Sequence, residues 1–77
     1  MRIISQCGKF DIPYKRSMLS IEDTMIYACF KDSVWLMAEY SSHEKAQYVF
    51  KTLREKYGDR YGYYELPKDE DVEVEDD

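Results

Sequence analysis

The sequence predicts an α+β fold: a small antiparallel β-meander of about four to five strands, with one amphipathic helix packed on one face. Three observations lead there. Short runs with alternating apolar residues recur between Met1 and Tyr40. A single apolar stripe of helical period runs from Ala46 to Tyr57. Turn-forming residues punctuate the junctions.

Met1–Ser5 reads as a first strand, Cys7-Gly8 as a tight turn that uses the conformational freedom of glycine, and Phe10–Tyr14 as the return. Pro13 donates no ladder hydrogen bond, so this piece is an edge or ends there. Met18–Glu22 and Met25–Phe30 form a hairpin about Glu22-Asp23-Thr24, and Lys31-Asp32-Ser33 turns the chain into a strand over Val34–Tyr40. Ser41 and Glu44 have capping-box spacing. Ala46, Val49, Phe50, Leu53 and Tyr57 then form one helical face, Lys51 and Glu55 are spaced to pair on the other side, and Gly58 is the stop. Tyr61–Leu66 is the last strand, closed by Pro67.

Charge divides the chain. Residues 67–77 carry seven acids and one base, whereas residues 1–66 carry nine acids and ten bases, out of an overall balance of −5. The expectation is one domain over 1–66 and an acidic, flexible tail over 67–77. Acids in that run repel phosphate, which argues against direct nucleic-acid binding and against an anionic membrane. The two separate thiols, Cys7 and Cys29, fall short of the disulfide framework of a small secreted domain. No apolar run approaches the roughly 20 residues of a membrane span. The chain reads as cytoplasmic.

Chemistry is sparse. His43, the sole histidine, falls in the first helical turn with no acid–base partner placed beside it. No zinc spacing, phosphate loop or calcium loop exists, so the residues predict no catalytic, cofactor or metal site. Strand alternation assigns Ile26, Ala28, Phe30, Val34, Leu36, Ala38 and Tyr40 to the helix side. The far side then carries Met18, Met25, Tyr27, Cys29, Trp35, Met37 and Glu39, a set too apolar for an ordinary solvated face. Two readings stay open: a contact surface, or a face covered by Lys9–Arg16 or Tyr61–Tyr64. The candidate partner-binding residues are Met18, Met25, Tyr27, Trp35 and Met37 on this face, Tyr61, Tyr63 and Tyr64 at the tyrosine-rich end, and Asp69, Glu70 and Asp71 in the acidic run.

Three stretches carry a resemblance. They are Met1-Arg2-Ile3-Ile4-Ser5-Gln6 with Gly8, Asp11, Pro13 and Tyr14; Tyr40-Ser41-Ser42-His43-Glu44-Lys45-Ala46 with Leu53-Arg54-Glu55 and Tyr57; and Leu66–Val74. Together they resemble small uncharacterised proteins encoded by phages and mobile elements of low-GC Gram-positive bacteria. The likeness covers both ends and the helix, and the central hairpin is not distinctive. Members of that group usually carry Asp or Asn where Cys7 stands, which weakens any chemical role for Cys7. The resemblance implies a genomic setting and a fold, without an activity, and small accessory proteins of this origin often inhibit host or defence machinery. The sequence-based expectation is therefore a non-enzymatic protein that binds another protein. The alternatives are a structural protein acting as a homodimer and an acidic DNA mimic that inhibits a nucleic-acid-binding protein.

Overall fold

A computed structural model describes residues 1–58 and 62–74 of the chain. Among these it is an α+β fold of six strands in two three-stranded sheets, with one α-helix. The strands are β1 (Arg2–Ile4), β2 (Asp11–Pro13), β3 (Met18–Glu22), β4 (Met25–Phe30), β5 (Ser33–Glu39) and β6 (Tyr63–Glu65), and helix α1 (His43–Gly58) lies between β5 and β6. The expected class holds, but a single meander does not. Only β3–β4–β5 is an antiparallel meander, whereas β1 pairs antiparallel with β2 and parallel with β6. Alternation reports that a segment is extended, and is silent on which distant strand it meets.

The first hairpin follows its local chemistry. Gly8 adopts φ +79° and donates its N–H to the Ser5 carbonyl at 2.9 Å. The buried Ser5 hydroxyl accepts from the Phe10 N–H at 3.1 Å, satisfying a polar group in the turn. Pro13 sits at the end of an edge strand, where its missing N–H costs no ladder bond.

The β3–β4 and β4–β5 connections are two-residue loops, since Glu22 pairs with Met25 and Phe30 with Ser33. Lys31 and Asp32 both have positive φ, 51° and 64°, as a type I′ turn demands. That turn matches the right-handed twist of the strands, although neither residue is the glycine that adopts it without strain.

One residue reverses the predicted faces of β5. Tyr27 pairs with Leu36, but the adjacent Ile26 pairs with Ala38, so Met37 is an extra residue in the ladder: a β-bulge. Beyond the bulge, Ala38 is buried as expected, and so is Tyr40 just past the end of β5. Before it, parity is inverted: Val34 and Leu36 face outward, and Trp35, opposite the buried Ala28, faces inward. Met37 itself is only 1% exposed. The assignment of Trp35 and Met37 to the far face, and of Val34 and Leu36 to the helix face, is thereby corrected.

Ala46, Val49 and Leu53 of α1 are fully buried, with Phe50 packed at the margin, so the predicted stripe is the core-facing one. Tyr57 at its end stacks on Tyr14, ring centroids 4.3 Å apart. The N-cap lies one residue later than the expected Ser41. The Ser42 hydroxyl accepts from the Lys45 N–H at 3.2 Å and its carbonyl takes the first helical bond, from Ala46. Lys51 and Glu55 form no ion pair among the described residues.

Both sheets and the helix share one core, made of Ile3 and Ile12, Ile26, Ala28, Met37 and Ala38, the helix stripe, and Leu66 and Val72. Val72 is 5% exposed, so the segment after Pro67 is not the solvated tail that its charge suggests, as far as Val74. Pro67 accepts from the Tyr40 hydroxyl at 2.7 Å, and Asp69 accepts from the Ser41 N–H at 2.7 Å and approaches Lys45 at 3.5 Å. Alternating valines supply anchors, and the helix N-terminus together with Lys45 offsets the acids.

Gln6 links the two sheets. Its backbone N–H donates to the Met37 carbonyl at 2.8 Å. Its side-chain amide donates to the Glu39 carbonyl, accepts from the Glu39 N–H, both at 3.1 Å, and donates to the Pro67 carbonyl at 3.2 Å.

Candidate interaction face

Cross-strand partners share a face of a sheet, so the register defines the outer side of β3–β4–β5. Met18–Cys29–Val34 form one row, Ser20–Tyr27–Leu36 the next, and Glu22–Met25–Glu39 the last. Met18 is 75% exposed, Val34 69% and Leu36 45%. A shallow depression of about 270 Å³ runs over Met18, Ser20, Tyr27, Cys29 and Val34. The Tyr27 hydroxyl donates to the Met25 sulfur at 3.2 Å, which turns the tyrosine along the face.

Of the sequence-predicted contact residues, the fold brings Met18, Met25 and Tyr27 together here. Trp35 instead packs on Phe10 with ring centroids 4.9 Å apart, and its buried indole N–H has no acceptor among the described residues. The Lys9–Arg16 segment thus does cover an aromatic of β5, from the inner side. Tyr63 is exposed and Tyr64 half-buried in the other sheet, and Tyr61 lies outside the described residues. Val34 and Leu36 are the members that alternation missed. The bulge that exposes them leaves no compositional mark.

Asp69–Asp71 form one 3-10 turn beside the start of α1. The bond from the Ser41 backbone N–H, aided by Lys45, holds the Asp69 carboxyl below the usual carboxylate range. Glu70 and Asp71 point to solvent.

Titratable chemistry elsewhere stays dispersed. The exposed Cys7 thiol is lowered from its ordinary value, chiefly by its hydrogen bond with the Ser5 hydroxyl at 3.3 Å and then by a backbone N–H. Burial pushes the Tyr40 and Tyr64 hydroxyls up. His43 is exposed and bonds through Nδ1 to the Asp23 carbonyl, which can only accept, so that nitrogen carries the proton. Among the described residues no group of three His, Cys, Asp or Glu side chains could hold a metal ion, and no helix is long and apolar enough to cross a membrane. No protein-family model, curated protein or solved structure matches this chain.

Proposed function

We propose that this is a non-enzymatic protein-binding accessory protein that engages its partner through the outer face of β3–β4–β5. One observation carries the reading: Met18, Val34 and Leu36 lie exposed together on one ordered sheet face, around Tyr27. Contiguous exposed apolar surface on a small domain marks an interaction site more often than scattered single residues do. The tyrosine lends the face a rigid, amphipathic centre. The resemblance to phage and mobile-element proteins suggests a partner in host or defence machinery. Self-association through the same face is the second reading, since an antiparallel sheet face can meet its own copy across a twofold axis. The DNA-mimic reading has less support, because Asp69 is engaged by Ser41 and Lys45.

The test compares the wild-type chain with Val34→Lys/Leu36→Lys. Immobilised wild type should retain a protein from host lysate that the variant loses, with circular dichroism showing the variant folded. Light scattering over a concentration series separates a homodimer from a foreign complex. A wild-type monomer that retains nothing, or a variant that retains the same protein, sinks the reading.

A further inference from the structure

The inner side of the same meander meets α1 in a second surface, unrelated to the outer face. Strand β3 is bonded to β4 on one side and to no strand on the other. A two-residue hairpin closes on a hydrogen-bonded pair, so Glu22–Met25, Ser20–Tyr27 and Met18–Cys29 exchange backbone bonds. The N–H and C=O groups of Leu19 and Ile21 therefore point to the free edge, and no loop among the described residues bonds them. Exposed edges are normally blunted by proline, lysine, a bulge or a covering segment. The β5 edge has such a cover in Gln6. β3, with the sequence Met-Leu-Ser-Ile-Glu, has none of these devices.

Alongside this edge runs a groove of about 470 Å³ lined by Ile21, Gln47, Phe50, Lys51 and Arg54. Its floor is apolar, from Ile21 and Phe50, and its charged walls are both cationic. Neither Lys51 nor Arg54 forms an ion pair among the described residues. An open strand edge, an apolar floor and a cationic helix wall together suit strand addition between sheet and helix.

We infer that this groove takes an extended acidic peptide of a partner protein as a fourth strand beside β3. The peptide backbone bonds to Leu19 and Ile21. Alternate side chains face the groove: an apolar one on Ile21 and Phe50, and a carboxylate two residues away on Lys51 and Arg54. This goes beyond the outer-face reading and stands without it.

The experiment titrates the intact protein with a fluorescent peptide of about eight residues, in which threonine alternates with valine and glutamate. The expected result is saturable binding, with shifts at the Leu19 and Ile21 amides in nitrogen–proton spectra. Lys51→Glu/Arg54→Glu, at two exposed positions, should weaken binding by about ten-fold. N-methylation of the peptide at the bonds facing β3 should abolish it, an arm that requires no protein variant. Val34→Lys/Leu36→Lys should leave it unchanged, which separates this proposal from the outer-face reading. Equal binding of a peptide with lysine in place of glutamate, unshifted Leu19 and Ile21 amides, or no binding at about 1 mM peptide would overturn it.

Discussion

The side-chain amide of Gln6 pairs with the backbone of Glu39 as a neighbouring strand would, giving one hydrogen bond and taking another, each at 3.1 Å. A side chain thus substitutes for a strand at the end of β5 and holds the two sheets together. Gln6→Ala is expected to cost about 1–2 kcal/mol, from the loss of several partly exposed bonds. Amide exchange at Glu39 should accelerate in parallel. Unchanged urea denaturation together with unchanged exchange would show that the bridge contributes nothing.

The bulge sets opposite expectations for two neighbours. Met37→Ala should lose about 2–5 kcal/mol, as for a buried side chain that leaves a cavity. Leu36→Ala should lose less than about 1 kcal/mol because its side chain is already half in solvent. Denaturant midpoints decide the matter, and a larger loss at Leu36 would mean that strict alternation continues through β5.

The Lys31-Asp32 turn is a site for stabilisation. Replacing it by Asn-Gly puts residues at these positive φ angles that tolerate them, for an expected gain of about 0.5–1 kcal/mol. The gain is net of the lost Lys31 contact over the Phe30 ring, at 5.4 Å. A lower melting temperature would refute the turn assignment.

Asp69 gives a pH dependence with a defined sign. Its carboxyl titrates lower in the folded chain than in the unfolded one, so its stabilisation is complete above the unfolded value of about 3.9. That contribution disappears as pH falls through the folded value. Asp69→Asn should therefore be less stable than wild type at neutral pH, and the gap should narrow in acid, below the ordinary carboxylate range. A gap independent of pH would show that the charge on Asp69 has no part in holding the segment.

Local chemistry was readable and distant pairing was not. The helix stripe, the Gly8 turn and both hairpins follow from spacing, because each is settled by residues within a few positions of one another. The cap was misplaced by one residue because Ser41 and Ser42 both have a suitable hydroxyl, and Asp69, from far along the chain, claims the Ser41 N–H. The acidic run masked Val72, whose alternation with acids was the available signal. The β3 and β4 strands of the candidate face were legible, and so was Glu39 beyond the bulge. Val34 and Leu36 on β5 were inverted, since one inserted residue changes the face of every residue before it without altering composition.

The parallel pairing of β1 with β6 has a consequence for synthesis on the ribosome. Ile4 must wait until Leu66, whose N–H its carbonyl accepts at 2.9 Å, has emerged. The β3–β4–β5 meander needs only neighbours and can assemble as it is made. Until then nascent β1 has one side without its strand partner, and the pairing with β6 is the last of the strand pairings to become possible.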